Sequence, residues 1–132
     1  MSAVPKAVST VVDSRDGYAC VRCGLSLSVT SGSRHHRQRR QVGGHRVSNL
    51  VLLCGSGTTG CHGWVHANPQ AARDAGWIVA ANGSLNPELV PVKRWTAEFG
   101  LQWFCIDDSG AAWILNPEAA RKRFAFLGMD AA

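Results

Sequence analysis

Two groups of side chains in this sequence have the types and spacing to hold metal ions. His62 and His66 are four residues apart, which on a helix puts both imidazoles on one face. Two such rings suit one metal. A third ligand from elsewhere, with the remaining positions left to water and a phosphate oxygen, would make the site catalytic rather than structural. His35 and His36 are adjacent and could supply that ligand and, beside it, an imidazole kept off the metal. The ordinary histidine pKa of about 6.5 suits such a ring to deprotonating water at neutral pH. The second group is made of thiols. Cys20 and Cys23 form a Cys-x-x-Cys pair that can grip an ion from one tight turn. Zinc asks for four ligands in a tetrahedron, and Cys54 with Cys61 would complete the set. Their separation is wider than usual, but the Gly-Ser-Gly-Thr-Thr-Gly insert can fold back without strain.

The elements that must carry these residues read as α+β. Residues 1–13 form a loose leader. Leu25, Leu27 and Val29 alternate with serines as in a short strand, which Ser31-Gly32-Ser33 ends. Gly43-Gly44 is a loop. Leu50-Val51-Leu52-Leu53 is an apolar run that periodicity leaves open between strand and buried helix. Cys61 to His66 makes one or two helical turns. Asn68 as cap, Pro69 at the first helical position and Gly76 as stop define a short helix ending at Ala75, and Trp77–Val79 reads as a strand. In the second half, Leu101–Ile106 and Ala111–Leu115 form a hairpin around the turn at Asp107–Gly110. Asn116-Pro117-Glu118 then opens a helix to Leu127. On it, Pro117, Ala120, Phe124 and Leu127 share one face. The expected organisation is a leader at 1–13, a core at 14–79 and a β-hairpin plus helix at 80–132.

The charge is concentrated. The 132 residues carry a net charge of +5, and between residues 14 and 66 seven arginines are opposed only by Asp16. The same stretch holds every histidine and four of the five cysteines, which suits a polyanion such as nucleic acid. No run approaches the ~20 apolar residues of a membrane span, and Met1–Val12 does not read as a secretory signal. A cytoplasmic setting follows, where paired cysteines signal metal rather than disulfides. Cys105, within Trp103-Phe104-Cys105-Ile106, reads as a small core residue. His45 reads as a surface loop residue, Trp64 as core, Trp77, Trp95, Trp103 and Trp113 as core or docking residues, and Arg121-Lys122-Arg123 as a solvated helix face.

Taken in order, Arg15-Asp-Gly-Tyr-x-Cys20-x-x-Cys23-Gly, His35-His36-Arg37, Asn49-Leu-Val-x-Leu-Cys54, Cys61-His62 and His66 resemble the HNH endonucleases. The likeness is to the small zinc-stapled HNH proteins common in phage genomes, and it covers about residues 14 to 79. It implies a ββα-metal core stapled by structural zinc on Cys20, Cys23, Cys54 and Cys61. It makes His36 the general base and His35 a metal ligand, at a position often held by Asp. His62 and His66 fall on the core helix, with His62 the first choice as ligand. Asn49 matches the residue that pins the loop carrying the base through backbone hydrogen bonds. Arg37, Arg39 and Arg40 could fork onto phosphates beside the scissile bond. The catalytic divalent cation stays open among Mg2+, Mn2+, Ni2+ and Zn2+, although imidazoles suit the last three better. The implied substrate is double-stranded DNA, nicked or cut with weak sequence selectivity. In a phage-encoded protein, the implied partners are the terminase or other packaging proteins, in the host cytoplasm.

Two further readings remain at this point. A non-catalytic zinc-bound DNA-binding or packaging-scaffold module would use the cysteines and the basic stretch but not the histidines. A homing or restriction-type nuclease would read sequence with residues 80–132, which are short and weakly basic for that task.

Overall fold

The structure is a computed structural model that describes residues 3–81 and 85–129. Helix α1 (Lys6–Arg15) occupies most of the expected loose leader. Its β-branched residues lower its intrinsic helix propensity. Val4, Val8, Val11 and Val12 nevertheless recur at helical spacing, and they pack with Val47, Leu50 and Leu52. Burial of that stripe decides the conformation.

Strands β1 (Gly32–His36) and β2 (Leu50–Cys54) pair antiparallel, with His35 opposite Val51 and His36 opposite Leu50. The apolar run is therefore a strand, buried at every residue. Its alternate side chains serve two faces. Leu50 and Leu52 meet α1, while Val51 and Leu53 meet Val65 of α3 (Gly60–Ala67). A strand covered on both sides loses the polar alternation that would have marked it.

Leu25–Val29 is not a strand. It makes one isolated bridge, Ser26 to Ala19, and Val29 is 76% exposed. The Ser26 and Ser28 hydroxyls bond each other at 2.7 Å, and Ser26 Oγ also accepts from the Ser28 amide. Such local bonds compete with ladder pairing. The strand begins instead at Gly32, inside the expected break, where a Cβ would lie 2.6 Å from the Leu27 side chain. A short helix, α2 (Arg40–Gly43), and a 3₁₀ turn at Val47–Asn49 fill the connection between β1 and β2.

Helix α4 (Pro69–Asp74) follows α3 directly. Asn68 stands at the N-cap of α4, its carbonyl accepting the Ala72 amide at 3.0 Å, but its side chain makes no cap bond there: Nδ2 donates back to the Trp64 carbonyl at 2.9 Å and closes α3. Trp77–Val79 runs beside the end of β1 but makes no strand. Its Val79 amide donates to the Arg37 carbonyl at 2.9 Å.

Among the described residues the second half holds three strands rather than two: β3 (Val92–Thr96), β4 (Gly100–Ile106) and β5 (Ala112–Leu115), antiparallel in that order. β3 escaped the sequence reading because both of its faces mix charged and apolar residues. The long cations lie along rings on β4, with Lys93 Nζ 5.2 Å from the Trp103 ring and Arg94 Cζ 4.6 Å from that of Phe104. Val92, Phe104, Ile106 and Ala112 turn one sheet face into the cluster that also contains Val51, Leu53 and Val65. On the other face, Trp103 meets Phe124 of α5 (Pro117–Phe126) at 5.2 Å. Asn116 caps α5 by accepting the Ala119 amide at 2.8 Å. Ala120 and Phe124 are buried as expected, but Pro117 is exposed.

A buried carboxylate fastens the pieces. Asp16 accepts two bonds from Arg15, at 2.8 and 3.0 Å, one from Arg94 at 3.1 Å and one from the Leu52 amide at 3.0 Å. The end of α1, β2 and β3 thus share one ion cluster. No helix among the described residues is long and apolar enough to cross a membrane.

Candidate functional site

The sulfurs of Cys20, Cys23, Cys54 and Cys61 lie within 4.8 Å of one another, a cluster that suggests a structural metal such as zinc. Cys23 Sγ and Cys54 Sγ are 3.8 Å apart, about the edge of a tetrahedron with Zn–S bonds of about 2.3 Å. Three devices deliver the four thiols. The Cys20–Gly24 turn closes through the Gly24 amide on the Cys20 carbonyl, and the Val21 amide ties it to Leu52 of β2. Cys54 ends β2, and Cys61 opens α3. Between them Gly55, at φ +82°, lets the loop double back where a Cβ would meet the Thr59 carbonyl oxygen at 2.2 Å. Burial pushes the Cys20 and Cys61 thiols up. At Cys54 the effect of burial is outweighed by the Cys61 amide and the neighbouring thiols, which hold its pKa down. Arg22 serves the cluster as well. Its Nη1 lies 3.3 Å from Cys61 Sγ while its guanidinium stacks 3.7 Å over the Trp64 ring, setting positive charge against the thiolates a metal would require.

Ligand atoms of His35, His62 and His66 also lie within 4.8 Å of one another. His62 and His66 sit one turn apart on α3, their Nε2 atoms 3.0 Å from each other. His35 projects from β1 and is 4% exposed, with Nε2 2.7 Å from the Trp77 carbonyl. A carbonyl can only accept, so Nε2 carries the proton and Nδ1 keeps the lone pair a metal needs. His62 Nδ1 is buried with no hydrogen-bond partner among the described residues. Burial holds the His35 and His62 rings toward the neutral form. The His35 pKa falls to about 3, chiefly through burial, outweighing its bond to Trp77, with smaller repulsion from His62, His66 and His36. His62 is lowered by burial and then by His66. Three imidazoles with ligand atoms at this separation fit a cation bound by nitrogen.

β1 stays regular through both adjacent histidines, so their rings leave opposite faces of the strand. His36 is accordingly not in the three-histidine group. It is half-buried, with its pKa lowered by burial and then by Arg40, His45 and His62. Its Nε2 lies 3.0 Å from Nδ1 of His45. The sequence left His45 on the surface, and no spacing pattern pointed to it.

Asn49, fully buried, binds the segment after His36 at three points. Its Oδ1 accepts the Gln38 amide at 2.8 Å, and its Nδ2 donates to the carbonyls of Gln38 at 2.7 Å and Gly44 at 3.0 Å. Asp108, in the β4–β5 turn, holds the neighbouring Ser48 through its amide at 3.0 Å and its hydroxyl at 2.5 Å.

A cavity of about 630 Å3 opens onto His35, His36, His62 and His66. Arg39, Arg40 and Arg73 line it, with Arg39 and Arg73 exposed. Arg37 corrects the sequence reading. It is 1% exposed, and its guanidinium donates to the carbonyls of Gly76, Ser48, Pro87 and Val90 at 2.7–3.1 Å. A cation so enclosed is a structural bolt and cannot reach a phosphate. Arg73, on α4, supplies a further accessible guanidinium. The sequence showed no helical register linking it to His66, because Asn68 separates the two helices.

No family model, curated protein or solved structure matches the chain.

Proposed function

We propose that this protein is an HNH-type, metal-dependent endonuclease that hydrolyses phosphodiester bonds of double-stranded DNA. The observation that carries the reading is the convergence of His35, His62 and His66 at metal-ligand separation beside the separately held His36, in a cavity lined by arginines. The likeness of the motif order to HNH enzymes, with β1, β2 and α3 in a ββα arrangement, supports it. A divalent cation on the three histidines would supply positive charge to the scissile phosphate and the departing 3′ oxygen. Arg39, Arg40 and Arg73 bind flanking phosphates and align the strand. His36 takes a proton from water as the oxygen attacks phosphorus. The P–O3′ bond breaks, the 3′ oxygen gains a proton from solvent, and the ends are 5′ phosphate and 3′ hydroxyl. Asn49 keeps the 38–44 segment beside His36 in place. A site this small has little surface for reading a long sequence, which fits nicking or weakly selective cutting. A role in phage genome packaging beside a terminase belongs to the same proposal.

The test is nicking of supercoiled plasmid with Mg2+, Mn2+, Ni2+ or Zn2+ added singly, with chelator and His36→Ala as controls. Metal-dependent nicking that is lost in a folded, zinc-loaded His36→Ala protein is the expected result. DNA binding without cutting under every metal would favour a zinc-bound DNA-binding or packaging-scaffold module instead.

A further inference from the structure

We infer that His45 is a positioning residue for His36, accepting its Nε2–H and so fixing which ring nitrogen is left to take a proton. The inference rests on the endonuclease reading for its purpose but on geometry for its substance. His36 Nε2 and His45 Nδ1 are 3.0 Å apart, with ring centroids at 5.2 Å and planes inclined by 51°. Two imidazole nitrogens in hydrogen-bond contact share one proton between them. If His36 donates, its Nδ1 is the nitrogen with a free lone pair, and the ring is held against rotation.

The placement of His45 is built from both sides. Before it, the Gly44 carbonyl is held by Asn49 Nδ2 at 3.0 Å, and Gly43 packs so closely that a Cβ there would lie 2.5 Å from the same amide nitrogen. After it, Arg46 is anchored by Asp108 Oδ2 at 2.8 and 2.9 Å and by Asn86 Oδ1 at 3.0 Å. A residue clamped on both flanks with its ring against His36 is no stray loop histidine. Asn49 thereby acts twice, on the backbone following His36 and on the backbone that carries its ring partner.

The experiment compares wild-type protein with His45→Ala and His45→Asn, whose amide oxygen can still accept. Long-range 1H–15N NMR of the neutral imidazoles reads the tautomer of His36, and plasmid nicking reads turnover. In wild type, His36 is expected protonated on Nε2. In His45→Ala it becomes a mixture of tautomers, and kcat falls roughly 10- to 100-fold with KM little changed. His45→Asn restores much of both. A His36 tautomer that ignores the alanine substitution, or sits on Nδ1 in wild type, overturns the inference. Loss of a bound cation in His45→Ala also overturns it, by making the pair a chelate. The NMR readout needs no cleavage, so a tautomer lock in a protein that never cuts DNA would sink the nuclease reading and leave the lock standing.

Discussion

Arg37, one residue past the candidate base, donates from Nη2 to the carbonyl of Val90 at 2.7 Å, across more than fifty residues of sequence. With Pro87 also bound, the buried guanidinium joins the histidine-bearing strand to the second half of the chain. A buried carbonyl left without its donor costs about 1–3 kcal/mol. Arg37→Ala should lower stability on that scale by urea unfolding. The same substitution should not act as a selective DNA-binding defect. A stable Arg37→Ala protein that has lost only DNA affinity would return this residue to the phosphate-binding set.

Arg73 should behave in the opposite way. Each phosphate neutralised on duplex DNA contributes a slope of about −0.9 to the dependence of log K on log salt. Arg73→Gln should leave stability unchanged and reduce that slope by about one contact when binding is followed by fluorescence anisotropy without cleavage. An unaltered slope would place the DNA elsewhere.

The thiol cluster should hold one zinc, released when Cys23→Ser or Cys61→Ser is introduced and retained in Cys105→Ala. A structural zinc contributes on the order of 10 kcal/mol to folding in comparable small domains. Loss of the ion should therefore appear as loss of the cooperative unfolding transition. Zinc analysis with circular dichroism on the three variants checks it, and a fully folded zinc-free protein would refute it.

Acid should unfold the protein partly through His35. The ring titrates at 6.5 when unfolded and at about 3 when folded. Between those values the unfolded chain binds a proton that the folded chain does not. Stability from this group is therefore complete above pH 6.5 and falls as pH drops toward 3, by at most about 1.4 kcal/mol per unit. A cation on the ring would move the loss in the same direction. His35→Gln should flatten that part of the pH–stability curve, and an unchanged curve would exclude His35 as the source.

The residues of both candidate centres were legible in the sequence because their signals are local. Cys20 with Cys23 is a turn, His62 with His66 is one helical repeat, and the Asn116 cap and the 107–110 turn announce α5 and the β4–β5 hairpin. Properties that depend on partners distant in sequence were not legible. Whether an arginine is a phosphate ligand or a buried bolt depends on which carbonyls surround it, and those at Arg37 come from residues 48, 76, 87 and 90. His45 meets His36 only because Asn49 and Asp108 fix the backbone around it. Helix α1 and strand β3 exist because Leu50, Leu52, Phe104 and Asp16 give their side chains something to pack against or pair with. Short-range spacing thus determined which residues could do chemistry. Only the tertiary structure decided which of them face solvent, because burial and hydrogen-bond satisfaction are properties of the assembled surroundings rather than of any residue or its neighbours along the chain.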